Sequence, residues 1–568
     1  MSLSRRGFVK ALSSAAMVTS LTGCNSNDQQ QQKSKIKVGF NHGVASGDPL
    51  QHAVIIWTRI TTEARSIDVQ WQVATDEKFM QIVASGEVTT DSVKDFTVKV
   101  DVNGLQPNQH YYYRFEANDT LSPIGQTQTL AEGELDKASI AVVSCSNFPA
   151  GYFNVYREIV KQHQMSPINA VLHLGDYIYE YGAGQYATED AQRLNRIPSK
   201  ESECLTLDDY RKRYAQYRSD SDLQALHAAL PMIAIWDDHE IANDTWREGA
   251  ENHQQQEGAE NHQQQEGDFA QRRAAAALAW LEWLPVRENP VSSMITYRDF
   301  SFGDLFDLYM LDTRVVARDE PLDYFSLADT SIESISGLIQ QARAPERKLL
   351  GNDQKQWLSE RMTTNTAKWS LLGQQVLMGK IEMPSSVMMG LFQLFQASDA
   401  NKSAAMIAVQ NAINTYLADP SSDPYLLPYN LDAWDGFYME REWLYGMTTT
   451  LNKQLITLAG DSHNAWCSEL SDHKGNGVGI EFATSSVTSP GLEKYLGLDL
   501  QTIGQMEFIL PQLVSDLQWV NLKQRGFIRL DLDHQQVLST WHFVSTVKEK
   551  EYQVDTQKLV TQNGLMVS

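Results

Sequence analysis

Four apolar runs in this chain are each followed at once by a cluster of carboxylate, thiol or imidazole side chains. Residues 140–143 lead into Ser144-Cys145-Ser146-Asn147, and residues 170–174 into Gly175-Asp176-Tyr177-Ile178-Tyr179-Glu180. Residues 232–236 lead into Asp237-Asp238-His239-Glu240, and residues 454–459 into Gly460-Asp461-Ser462-His463. Short continuous apolar runs of this kind read as strands buried on both faces, the pattern of a parallel sheet. Helical periodicity appears between and after them, over residues 152–164, 207–218, 269–284, 352–365 and 404–417. The alternation predicts an α/β unit. Upstream the period changes. Residues 54–58, 69–73, 96–100 and 111–115 are short alternating strands, with turns at Asn103-Gly104 and Gln106-Pro107. They predict a β-sandwich of immunoglobulin or fibronectin type without a disulfide. Residues 526–532 and 536–544 predict a closing antiparallel hairpin.

The pattern divides the chain into residues 1–24 as a targeting segment, 25–35 as a glutamine-rich flexible linker, 36–132 as the sandwich, 137–545 as the α/β domain and 546–568 as a tail. The 568 residues carry 47 Lys+Arg against 71 Asp+Glu, a net charge of −24. That excess argues against a general binder of nucleic acid or anionic membranes. It also means that an anionic substrate needs local cations, which metals can supply. Among four cysteines there is no CxxC pair, so no zinc ribbon is indicated. A Cys204–Cys467 disulfide is one reading; unpaired buried thiols are the favoured one. No apolar run is long enough for a transmembrane helix.

The first residues read as an export signal. Ser4-Arg5-Arg6-Gly7-Phe8-Val9-Lys10 fits the twin-arginine pattern, a weakly apolar stretch follows, and Leu21-Thr22-Gly23-Cys24 resembles a bacterial lipobox. The expectation is an exported protein that engages the twin-arginine machinery, periplasmic or anchored to a membrane only through a lipid on Cys24. Further along, Gly249–Glu257 is followed by an identical copy, Gly258–Glu266. A duplication in a tolerant surface loop is the favoured explanation, and a metal tract through His253 and His262 is the alternative.

Carboxylates and histidines just past the ends of strands sit at the usual rim for a site in an α/β protein. Four such rims imply a metal cluster, because gathered carboxylates repel unless cations neutralise them. Gly-x-Ser-x-Gly is absent, and no phosphate-binding glycine loop opens a helix. The residues therefore predict a metal-dependent hydrolase. Asp176 is the best bridging ligand. Asn243 is a candidate metal ligand through its amide oxygen. Arg157, on the helix after the Cys145 loop, is a candidate phosphate clamp, with a solvated helix arginine as the alternative.

Eight segments, taken in order, carry a resemblance. They are Gly43-Val44-Ala45-Ser46-Gly47-Asp48-Pro49 with Trp57-Thr58-Arg59, Ser144-Cys145-Ser146-Asn147, residues 174–181 (LGDYIYEY), and residues 236–246 (WDDHEIANDTW). Leu311-Asp312-Thr313-Arg314, Asp432-Ala433-Trp434-Asp435-Gly436, residues 460–463 (GDSH) and Ser486-Val487-Thr488-Ser489-Pro490-Gly491 complete the set. The chain resembles the alkaline phosphatase D (PhoD-like) family of metallophosphoesterases. The resemblance implies a four-layer α-β-β-α metallophosphoesterase-like domain preceded by a β-sandwich domain, and hydrolysis of phosphate mono- or diesters with Fe3+ and Ca2+ as cofactors. It makes Tyr179 and Cys145 metal ligands, a set suited to ferric iron, and calcium the ion implied at Asn243. Asp238-His239 stands where related enzymes have Asn-His. By that match Asp238 is a ligand and His239 acts on the phosphoryl oxygens or the leaving group. Asp237 is an equally open ligand on spacing alone. Asp461 and His463 replace the two histidines of a Gly-His-x-His pattern and move the site toward oxygen ligation.

A phospholipase D-like diesterase is the rival within the same fold. Residues 383–395, apolar and methionine-rich, are either a flap that meets acyl chains or a helix packed on the core; packing is favoured. A non-enzymatic surface lipoprotein that binds phosphate or metal is the rival outside it.

Overall fold

The computed structural model describes residues 36–253, 266–327, 331–398, 400–562 and 565–566. Two large sheets face each other. In the first, ten strands run in the order 565–566, 554–562, 536–544, 525–533, 137–143, 170–173, 231–234, 44–47, 53–59, 97–103. In the second, seven strands run in the order 298–302, 306–310, 369–373, 454–459, 477–483, 465–471, 517–521. The side-chain period of two explains the layering. Ile140, Val142, Leu172 and Ile233 point inward and meet Leu308, Leu371, Ile456 and Ile480 of the opposite sheet. Their neighbours Ala141, Val143, Val171 and Met232 point outward, against helices that carry Ile159, Tyr214, Leu226 and Trp280. Tyr309, Leu372, Leu455 and Ala459 do the same on the far side, under Leu338, Leu358 and Leu444. The result is the α-β-β-α arrangement.

Helix starts follow local chemistry. Thr206 and Asp209 form a capping box on Leu207–Tyr217, and Asp220 and Asp268 cap Ser221–Ala229 and Phe269–Trp283. The helix Ser385–Gln396 buries Val387, Met388, Leu391 and Leu394 in the core, so the apolar stretch at 383–395 is packing rather than a flap.

Two expectations need correction. The sandwich over 36–132 is not a separate pair of sheets. Strands Ser66–Ala74, Ile82–Asp91, His110–Ala117 and Gly125–Gln128 belong to a five-stranded sheet. Its partner layer is the edge of the ten-stranded sheet itself. Val44–Gly47 pairs in parallel with Pro231–Ala234, through Ser46 opposite Pro231. Pro231 and Met232 are thereby paired on this side and the sheet edge is moved outward. Val54, Ile56, Val98 and Val102 pack on Val69, Val73 and Phe115. From Lys37 onward the chain forms one compact unit. The second correction concerns 546–568. Val554–Gln562 is not a tail but a strand, paired along its whole length with Gln536–Val544. Its polar composition suits a position near the sheet edge and hides it from a hydrophobic pattern.

Cys145, Cys204 and Cys467 are buried free thiols, so Cys204 and Cys467 are not bridged. Among the described residues no helix is long and apolar enough to cross a membrane.

Candidate metal and catalytic site

Parallel register brings the polar clusters to one rim. Val143 lies opposite His173, and His173 opposite Ala234, so Cys145, Asp176 and Asp237 emerge side by side. In the second sheet Ala459 lies opposite Ala483, which puts Asp461 beside the loop 484–491. The sheets are stitched together at this end. Val487 N–H donates to the carbonyl of Ser144 at 2.9 Å, and Ser489 Oγ to that of Cys145 at 3.1 Å. Gly460 allows the approach, since a Cβ there would sit 2.7 Å from Cβ of Ser144. At Gly175, with φ +107°, a Cβ would lie 2.3 Å from Cβ of Asp237.

The backbone itself is bent to aim the side chains. Cys145, Asp176, Asp461 and His463 all have left-handed φ, between 53° and 60°. Non-glycine residues rarely adopt this conformation, and such strain gathers at functional sites. Glu240 helps to hold the bends. Its carboxylate accepts N–H bonds from Asp176, Tyr177 and Asp237 and so ties two strand ends together.

Three overlapping clusters result, in each of which the ligand atoms lie within 4.8 Å of one another: Cys145 with Asp176 and His463, Asp176 with Asp238 and His239, and Asp237 with Asp238 and Asp461. Asp176 belongs to two of them, as a bridging residue would. Tyr179 joins the first. Its hydroxyl donates to Asp176 Oδ2 at 2.8 Å and lies 3.1 Å from His463 Nε2 and 2.7 Å from Ser489 Oγ. Asn243 lines the same cavity, of about 260 Å³, with Asp244 beside it. Its main-chain N–H donates to Glu180 and its amide nitrogen to Glu251. Both Asp237 and Asp238 face the cluster. Asp238 accepts from the N–H groups of His239 and Asp244.

The electrostatics of the site are those of a surplus of buried anions. Burial first, and neighbouring carboxylates second, push the Cys145 thiol and the Tyr179 phenol well above their ordinary ranges. Burial raises Asp176 strongly and brings Asp461 up to about 6. Burial and the positive charge of His239 lower His463 to about 3, which keeps its imidazole neutral. His239 goes the other way. Burial would lower it, but Asp238, Glu180 and Asp176 outweigh burial and hold it charged. The Oδ1 of Asp176 and the Oδ2 of Asp237 are buried with no hydrogen-bond partner among the described residues. An orphaned buried carboxylate oxygen is costly without a cation. The donor set thus fits metal ions.

Arg157 is not part of this site. Its guanidinium makes a two-pronged pair with Asp222, at 2.9 and 2.6 Å, and donates to the carbonyl of Lys550. It joins two helices and the C-terminal segment, away from the cavity lining. The arginine at the cluster is Arg314, fully buried, which bonds Asp237, Asp432 and Asp461 with its three nitrogens. Its segment Leu311-Asp312-Thr313-Arg314 follows the strand Phe306–Met310, the same strand-then-polar layout that exposed the other four. Glu180, Asp244, Tyr186 and Tyr495 were missed as well. Glu180 holds His239 Nδ1 at 2.8 Å. His253 is buried away from this cavity, with Nε2 near the carbonyl of Gly267 and its ring beside Phe269; His262 lies outside the described residues.

Comparison with known proteins agrees with this geometry. Residues 140–541 match the family described as PhoD-like phosphatase, and residues 24–131 its N-terminal domain. Alkaline phosphatase D of Bacillus subtilis (strain 168) is 34% identical over 470 residues, which span 80% of this chain and 70% of that protein. A solved structure titled "Structure of PhoD" superposes with a TM-score of 0.74 at 30% identity, covering 93% of this chain and 92% of that one. A phosphoric ester hydrolase is what such a match describes, and the chain belongs to the PhoD-like phosphatase family.

Proposed function

We propose that the protein hydrolyses phosphate mono- or diesters at a cluster of bound cations. Ferric iron would be held by Cys145, Asp176, Tyr179 and His463, and calcium by Asp238, Asn243 and Asp461, with Asp237 adjoining. The observation that carries this reading is the pair of orphaned oxygens, Asp176 Oδ1 and Asp237 Oδ2, on residues that between them belong to all three clusters. Thiolate and phenolate beside carboxylate suit ferric iron, while an all-oxygen set suits calcium.

Bound there, the cations would neutralise the phosphoryl charge and lower the pKa of water. The chain's own residues do the rest. Glu180 occupies His239 Nδ1 and leaves Nε2 as the nitrogen that faces the ester. With Glu180 holding its Nδ1, a protonated His239 would deliver the Nε2 proton to the departing oxygen. Arg314 touches carboxylates with every nitrogen, so it fixes Asp237 and Asp461 rather than clamping phosphate.

Turnover of p-nitrophenyl phosphate in purified variants tests the reading. Asp176→Ala and Asp461→Ala are expected to abolish hydrolysis in folded protein. His239→Ala is expected to depress turnover more than metal content. Substantial turnover by Asp176→Ala would remove the proposed site.

Export and lipidation of Cys24 belong to the same proposal, although residues 1–35 lie outside the described residues. Arg5→Lys with Arg6→Lys should leave precursor in the cytoplasm. Mature protein outside the inner membrane would count against twin-arginine export.

A further inference from the structure

One wall of the cavity plays no part in the metal and proton chemistry above. Tyr186, from the loop after Tyr179, and Tyr495, from the short helix Leu492–Leu496, line it together with Asp176, Asp238, His239 and Asp461. The two phenol oxygens meet at 2.7 Å, and an ion pair from Lys494 to Glu189, at 3.3 Å, joins the same two segments. The ring of Tyr186 lies 12° from the plane of Tyr495 and 8° from that of His239, with centroids 6.4 Å apart in both cases. Three rings therefore share nearly one orientation. At one end is His239, the proton donor of the proposed reaction. At the other is Tyr495, 48% exposed at the rim.

Charge sets this wall apart. Both side chains are phenols, with an apolar ring face and no formal charge. Apart from Asn243 and the tyrosines, every side chain lining the cavity is a carboxylate or an imidazole. An ester whose phosphoryl group sits at the clusters has a flat, uncharged surface beside its leaving oxygen and an acidic one elsewhere.

We infer that Tyr186 and Tyr495 form the leaving-group subsite and that it favours phosphate esters with a planar aromatic leaving group. The inference rests on the reading that His239 faces the leaving oxygen. An aromatic ring gains by stacking on these faces, and a small polyol does not. The hydroxyl bridge holds the rings in place before substrate arrives, which lowers the ordering cost of binding.

The test compares kcat/KM for 1-naphthyl phosphate and glycerol 2-phosphate in metal-replete wild type, Tyr495→Phe, Tyr495→Leu and Tyr495→Ala. The aryl-over-alkyl ratio should fall roughly fivefold in the Leu and Ala variants, mainly through KM, and fall clearly less in Phe, which keeps the ring face and loses only the hydroxyl bridge. 1-Naphthol should inhibit the wild type more strongly than Tyr495→Leu, a reading that does not depend on Ala folding. Equal losses on both substrates, or an unchanged ratio, would overturn the subsite. A wild type that hydrolyses neither ester would overturn the parent reading first and the subsite with it.

Discussion

His463 donates its Nδ1 proton to the carbonyl oxygen of Pro490 at 2.8 Å. A carbonyl only accepts, so this bond sets the tautomer and leaves the Nε2 lone pair beside Tyr179, Asp176 and Cys145. Burial keeps the ring neutral. A neutral, oriented imidazole is the form that binds metal. On the proposed ligand set, His463→Ala should therefore bind much less iron than wild type while keeping its fold. Elemental analysis beside a circular dichroism spectrum reads both, and unchanged iron would remove His463 from the ligand set.

Arg314 is the main counter-charge to Asp237, Asp432 and Asp461. Asp432 also pairs with Arg318, and Asp461 is partly exposed, but removal of Arg314 leaves the fully buried Asp237 without its arginine. Arg314→Met should cost about 3–5 kcal/mol of stability, the usual penalty for breaking a buried pair from one side. Arg314→Lys should recover little, because one ammonium does not span three carboxylates. Urea unfolding of the three proteins provides the measurement. A loss well under 1 kcal/mol in Arg314→Met would contradict the role.

Two buried histidines should make the fold sensitive to acid. Burial lowers His42 and His173 from 6.5 to about 3. Both folded values lie below the unfolded one, so the unfolded chain takes up protons first as pH falls. The contribution is intact above about 6.5 and is lost as pH drops through the window down to about 3. The buried carboxylates Asp176 and Asp461 act in the opposite direction, so the histidine part is read as a difference: the melting temperature of wild type should fall more, or rise less, across that window than that of His173→Gln. Equal slopes in the two proteins would contradict the role of His173.

Deleting Gly258–Glu266 should change activity and melting temperature little. The remaining copy still supplies His253, which rests against Phe269 and near Arg272. A large loss of bound metal would instead favour the histidine-tract reading.

The strand ends were legible in the sequence because each is a local event, an apolar run that stops at a carboxylate or thiol. The helices at 207–217 and 269–283 were legible for a similar reason, since period and cap lie within a dozen residues. Arg157 misled because an arginine on a helix near a site has no local mark of its partner, which turned out to be Asp222. Arg314 carried the right layout, but its role depends on Asp432 and Asp461, more than a hundred residues away. The sharing of a sheet between Val44–Gly47 and Pro231–Ala234 is equally non-local. Val554–Gln562 escaped notice because a polar strand near a sheet edge lacks a hydrophobic signal.

The central claim is that the side chains gathered at Asp176 hold metal, iron among it, and that hydrolysis depends on it. Elemental analysis of the purified protein, paired with its visible spectrum and its turnover before and after chelation, tests this most directly. The account predicts iron and calcium in the protein, a thiolate and phenolate charge-transfer band that Tyr179→Phe and Cys145→Ser each diminish, and activity that falls with the metal and returns with it. A colourless, metal-free protein that turns over p-nitrophenyl phosphate at the full rate would contradict it.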